Sequence, residues 1–152
     1  MQKITPNLWF NGNAREAVEY YISIFPNSKI TGGSTYPQTK EAGLADFQLE
    51  LAGKDLTIEF ELGENSFVAI NADATFAFTE AVSFQVDCKD QEEIDYYWNK
   101  LSAVPESEQC GWCKDKYGVS WQIVPQNMAE LMSRPNAFRT LMNQHKIIVE
   151  EF

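Results

Sequence analysis

The residues that could do chemistry in this 152-residue chain are few, and most exclude one another. Cys110-Gly-Trp-Cys113 spaces two thiols as redox and zinc motifs do. A redox pair needs a helix N-terminus to stabilise its thiolate, but a charged turn and a strand are expected to follow this motif. A zinc site needs two further ligands, and only Cys88 and the distant His145 remain. Residues three apart on a strand also face opposite sides. Two ordinary thiols are the simpler account, and three cysteines fit reduced side chains better than a disulfide scaffold. The single histidine excludes a Ser-His-Asp triad of the usual kind near any other candidate nucleophile. His145 reads as a satisfied side chain at a packing edge. Glu59 and Glu61 alternate with Ile58, Phe60 and Leu62, the pattern of a strand with one solvated face. No Gly-rich loop opens a helix after a strand, so nucleotide and S-adenosylmethionine binding find no support. What remains is a set of aromatic and amide side chains.

Elements that would position these residues follow from periodicity. Ala14, Ala17, Val18, Tyr21 and Phe25 recur at helical spacing, which predicts a helix from Asn13, a good cap residue, to Phe25. Ile94, Tyr97, Trp98 and Leu101 predict a second, from Gln91 to Leu101. Strands are expected at 7–10, 28–36, 56–62, 66–71, 82–86, 107–114 and 119–124. The stretch 43–53 mixes strand and helix spacing and reads as a short helix or irregular insertion. Met128, Leu131 and Met132 suggest a short helix ended by Arg134-Pro135. A last helix should begin near Pro135 or Asn136, with Phe138, Leu141 and Met142 on one face continued by His145. Trp98 belongs to a helix core by spacing, whereas Trp9, Trp112 and Trp121 lie on strands and could face either side.

Composition narrows the partners. Hydrophobic residues make up 44% and charged residues 22%, as in ordinary globular domains. A net charge of −10 argues against nucleic acid and against anionic membrane surfaces, both of which need clustered cations. No apolar run is long enough to span a bilayer. Residues 1–6 lack the apolar core of a signal peptide, so a cytoplasmic location is expected.

The chain also repeats itself. Glu19-Tyr-Tyr21 and Asp95-Tyr-Tyr97 stand 76 residues apart, half the chain, each in a helix preceded by a short apolar run and a polar turn. The repeat predicts a duplicated strand–helix module, and charge is shared evenly between the halves.

Several motifs appear in an order that matters: Ile4-Thr-Pro-Asn-Leu-Trp-Phe10, Phe78-Thr-Glu-Ala-Val-Ser-Phe84, Asp95-Tyr-Tyr-Trp98, Cys110-Gly-Trp112 and Asp115-Lys-Tyr-Gly-Val-Ser-Trp-Gln-Ile-Val-Pro125. Together they make the chain, from about residue 3 to 146, resemble the vicinal-oxygen-chelate superfamily of glyoxalases, bleomycin-resistance proteins and extradiol dioxygenases. The resemblance is closest to its PhnB-like branch, often labelled 3-demethylubiquinone 3-methyltransferase domain. It implies an α+β fold of two βαβββ modules, about 3–76 and 77–146, with a C-terminal helical tail, in one domain over 1–152. The modules would form a cup-shaped, partly open mixed sheet or barrel with helices outside. Metal-using members place His and Glu ligands on inward positions. Carried over, those positions fall at or beside Pro6, at Ala81 or Val82, within Ser66–Asn71 (Ser66 or Asn71), and at Gln122. Such residues do not suit a divalent ion, so no metal and no cofactor is expected. The resemblance further implies a homodimer and a cup lined by Leu8, Phe10, Asn71, Phe84, Trp112 and Gln122, with Phe84 or Gln85 inward according to register. A metal-free small-molecule-binding protein is the leading expectation. The alternatives are a metal-dependent lyase, isomerase or dioxygenase with atypical ligands, and an antibiotic-sequestering resistance protein.

Overall fold

A computed structural model describes residues 2–152. The chain divides into two compact units, Met1–Ala77 and Phe78–Phe152. Both run strand, helix, then antiparallel strands whose last member pairs in parallel with the first.

In the first unit β1 (Asn7–Phe10) leads into α1 (Ala14–Ile24), followed by β2 (Lys29–Thr35), β3 (Asp55–Leu62) and β4 (Asn65–Asn71). The sheet order is β1-β4-β3-β2, with β1 parallel to β4. Ile58, Phe60 and Leu62 of β3 share one face with Phe67 and Ala69 of β4, and that face is buried. Helix α1 packs on these two strands through Ala14, Ala17, Val18, Tyr21 and Ile24. Ile24, rather than the expected Phe25, closes the helix core, because Phe25 has already left helical geometry at φ −91° and ψ 129°. The cap also differs from expectation. Asn13 occupies the cap position but its side chain makes no cap bond. The Ala14 N–H instead donates to Asn71 Oδ1, 3.1 Å away on β4. The ambiguous stretch is irregular with a 3-10 turn, Asp46–Leu51.

The second unit holds β5 (Ser83–Cys88), α2 (Gln91–Leu101), β6 (Trp112–Lys114) and β7 (Ser120–Pro125), then two short helices, α3 (Met128–Met132) and α4 (Ala137–Met142). Its sheet order is β5-β7-β6, with β5 parallel to β7. Asp90 Oδ1 accepts the Glu93 N–H at 2.9 Å and caps α2. The helix buries Ile94, Tyr97, Trp98 and Leu101, the four residues that periodicity selects.

Two expectations fail locally in this unit. The strand expected over 107–114 is only Trp112–Lys114. Upstream, Cys110 and Gly111 both take left-handed φ, 53° and 87°, and the Trp112 N–H donates to Gln109 O at 2.8 Å. That is a two-residue type I′ hairpin turn, so the second unit carries three strands where the first carries four. Helix α4 does not bury the expected face either. Ala137 is buried, but Phe138 and Met142 are 69% and 48% exposed. Asn136 enters the helix at φ 64°, which turns Ala137 inward, and a helix of 6 residues is too short to bury a second stripe.

The fold class is α+β, that of the glyoxalase/bleomycin-resistance/dioxygenase proteins. No described helix is long and apolar enough to cross a membrane.

Candidate functional site

Strand alternation divides the β5-β7-β6 sheet into two unlike faces. One carries Phe84, Val86 and Cys88 of β5, Trp121 and Ile123 of β7, and Cys113 of β6, matched by register. Cys88, Cys113, Trp121 and Ile123 are buried. Cys88 lies close enough to Glu93 and Tyr97 of α2 to share their electrostatic field, so this is the helix-covered face. Burial pushes the Cys88 and Cys113 thiols up to about 12, which makes them inert packing groups.

The other face carries Ser83 and Gln85 of β5, Ser120 and Gln122 of β7, and Trp112 and Lys114 of β6. Gln122 pairs in register with both Gln85 and Trp112. Its Nε2 donates to Ser83 Oγ at 2.9 Å, which leaves its carbonyl oxygen available. Gln85 Nε2 donates to Asp87 Oδ1 at 2.7 Å, so this amide too presents its oxygen. Ser120 is 2% exposed, and its Oγ has no hydrogen-bond partner among the described residues. A buried hydroxyl left alone costs on the order of 1–3 kcal/mol. Lys114 pairs with Glu80 at the border of this face. The arrangement offers one indole edge, two amide oxygens and hydroxyls, with its nearest cation already neutralised.

A turn holds this face in place. Asp115, 1% exposed, ends β6, and its Oδ1 accepts the Tyr117 and Val119 N–H groups at 2.8 and 3.1 Å. Its Oδ2 accepts the Trp121 indole N–H at 2.9 Å. One buried carboxylate thereby ties the β6–β7 turn to the strand bearing Ser120 and Gln122.

Of the six residues expected to line the site, Leu8, Phe10 and Asn71 lie in the first unit and Phe84, Trp112 and Gln122 in the second. Trp112 and Gln122 share one face, opposite each other on neighbouring strands. Phe84 lies on the helix-covered face, 5.6 Å from the Trp121 ring, and Gln85 takes the place beside Gln122. Leu8, Phe10 and Asn71 are brought together, but in the core beneath α1. Asn71 is bonded within its own unit there. Its Oδ1 accepts from Ala14 N–H, its Nδ2 donates to Asp55 O at 3.0 Å, and its backbone oxygen accepts the Tyr36 hydroxyl at 2.6 Å. The opposite face of β1 presents Trp9, whose indole N–H donates to Asp73 O at 2.8 Å and whose ring meets Phe76 edge-on. Sequence reasoning missed the Ser83 hydroxyl, because only the parallel β5–β7 register sets it near Gln122. Alternation alone places Ser120 on the Gln122 face, but does not reveal that its hydroxyl is orphaned.

The positions that would hold a metal in the superfamily do not fit one. Pro6, Ala81 and Val82 offer no side-chain donor, Ser66 offers only a neutral hydroxyl, and Asn71 and Gln122 only neutral amides. Among the described residues no three His, Cys, Asp or Glu side chains cluster for a metal ion. A divalent ion wants anionic or imidazole donors that these positions lack. Nor do the helix starts make a nucleoside-cofactor cradle, since Asn71 and Asp90 already cap them.

Comparison with known proteins agrees with this architecture. Residues 2–124 match the family model described as 3-demethylubiquinone-9 3-methyltransferase. Among solved structures, the chain is similar to the PhnB protein from Bacillus cereus, with 36% identity, 82% of this chain and 99% of that chain covered, and a TM-score of 0.63. A protein from Pseudomonas aeruginosa shares the fold at 19% identity, covering 83% of this chain and 98% of its own, with a TM-score of 0.58. No curated protein sequence matches the chain.

Proposed function

The chain belongs to the 3-demethylubiquinone-9 3-methyltransferase family, and from that premise we propose that it binds a small, uncharged organic molecule without a metal, on the sheet face bearing Trp112 and Gln122. The observation that carries this reading is the buried Ser120 hydroxyl without a partner, on the same face as the free carbonyl oxygen of Gln122. A buried hydroxyl without a protein partner takes one from water or from a bound ligand. Uncharged donors and acceptors beside an indole favour a neutral aromatic or heteroaromatic ligand over a cation or a phosphate. The family label names a methyl transfer, but the groups gathered here are suited to recognising a ligand rather than to holding a nucleoside cofactor. A cytoplasmic location and a homodimer accompany the proposal. The homodimer rests on the fold resemblance, and light scattering at micromolar concentration tests it.

A thermal-shift screen over neutral aromatic metabolites, cationic glycopeptides and divalent ions tests the binding function. A ligand at about 100 times its Kd stabilises by about 2.7 kcal/mol, readily visible as a melting shift. The expected result is stabilisation by a neutral aromatic compound that Gln122→Leu weakens about tenfold, with little change in the melting of the free protein. Stabilisation by a divalent ion that disappears in Gln122→Leu would overturn the metal-free reading. Selective stabilisation by cationic glycopeptides would replace the proposal with antibiotic sequestration.

A further inference from the structure

A thiol and a thioether meet in the loop where the second unit's hairpin meets its C-terminal segment. Cys110 Sγ lies 3.6 Å from Met142 Sδ, both partly exposed to solvent. Two further contacts hold the pair. Gln109 Nε2 donates to the Met142 carbonyl at 2.9 Å, and the same nitrogen lies 3.2 Å from Cys110 Sγ. The Cys110 and Gly111 N–H groups donate to the Gln144 and His145 carbonyls, each at 2.8 Å, so the backbone at 144–145 runs alongside the hairpin turn.

His145 is exposed, with Nδ1 2.6 Å from Glu108 O. A carbonyl oxygen can only accept, so Nδ1 carries the proton. In the neutral ring Nε2 is then the nitrogen with a free lone pair. Metal-binding histidines commonly have their tautomer set by a bond of this kind.

We propose that Cys110 and Met142 bind one Cu(I) ion, with His145 Nε2 as the third donor. A thiolate and a thioether are soft ligands of the kind that take Cu(I). Geometry permits it without moving the sulfurs apart. With two metal–sulfur bonds of roughly 2.3 Å, a sulfur separation of 3.6 Å gives an angle at the metal of about 100°. That angle is far from linear and leaves a position open for a third ligand. On binding, the Cys110 S–H bond breaks, a metal–sulfur bond forms and the proton passes to solvent. No electron is transferred. Cys113 takes no part, because it is buried on the helix-covered face.

The test is a competition between the protein and bicinchoninate for Cu(I) held reduced by ascorbate. Expected is one Cu(I) per chain, lost in Cys110→Ser and weakened about tenfold in both Met142→Leu and His145→Ala. All three residues are partly exposed, and circular dichroism verifies that each variant is folded. Methyl NMR of the wild type supplies an independent reading, with Met142 as the methionine whose signal moves on Cu(I) addition. Wild-type affinity in Met142→Leu, or an unmoved Met142 signal, would reduce the site to a lone thiol and overturn the proposal. Absence of Cu(I) uptake by the wild type would do the same.

Discussion

Removing the Asp115 carboxylate should destabilise the second unit more than any other single truncation of a polar side chain in its sheet. At least three donors end on it, and they differ in what they can do once it is gone. The Trp121 indole N–H and the Val119 amide belong to residues 3% and 2% exposed, so water cannot replace the lost acceptor. Each then bears a desolvation cost of about 1–3 kcal/mol. Tyr117 sits in a half-exposed turn, where its amide can bond water at little cost. Asp115→Ala should therefore cost about 4 kcal/mol, less whatever is recovered by no longer burying a carboxylate. Asp115→Asn is more informative. Its remaining carbonyl oxygen can keep the two backbone donors, while its NH2 group faces the Trp121 N–H, donor against donor. One bond to a charged acceptor is lost, worth roughly 1.5–3 kcal/mol. Urea unfolding followed by tryptophan fluorescence measures both. Combining Asp115→Asn with Trp121→Phe should cost less than the sum of the two, since they share one interaction. A loss below about 1 kcal/mol for Asp115→Ala, or strict additivity in the double variant, would refute the claim that this carboxylate ties the turn to β7.

Thiol labelling of the native protein at pH 8 should modify Cys110 and spare Cys88 and Cys113, whose thiols burial holds near 12. Three fast-reacting thiols per chain would contradict the packing beneath α2. Asn71→Ala should cost about 1–3 kcal/mol by removing the α1 cap and the link to β3, yet leave ligand affinity on the Gln122 face unchanged. A lost ligand response in a folded Asn71→Ala protein would return Asn71 to the binding site. The bidentate Arg15–Asp55 pair, at 2.7 and 3.0 Å, holds the Asp55 carboxyl below its ordinary value. Because the folded-state value is the lower one, the stabilisation is present above the unfolded carboxylate range and is lost as pH falls through the folded one. Arg15 is half exposed, so solvent screening limits the effect to under about 1 kcal/mol. Arg15→Ala should flatten that acid limb, and an unchanged limb in acid titrations of stability would show that the pair contributes nothing.

Both helices were legible from sequence because burying one stripe of an 11-residue helix imposes a spacing that local residues reveal. The duplicated strand–helix order and the solvated Glu59 and Glu61 were legible for the same reason, since alternation is a property of neighbours in the chain. The poverty of metal donors followed from residue identity alone. What the tertiary structure decided concerns partners far apart in sequence. Alternation puts Leu8 with Phe10, but only the parallel register with β4 sets them beside Asn71 beneath a helix. A shift of one residue exchanges Phe84 for Gln85, and no local pattern distinguishes them. Asn13 had the residue type of a cap, yet a side chain 58 positions later supplies the bond, because the end of β4 lies against the start of α1. The Cys110 motif shows the same limit. Its spacing suggested Cys113 as the partner, but a left-handed turn separates the two thiols and presents Cys110 to Met142, 32 residues away. Spacing along the chain determines which side chains share an element's face, and register and packing determine which of those faces meet.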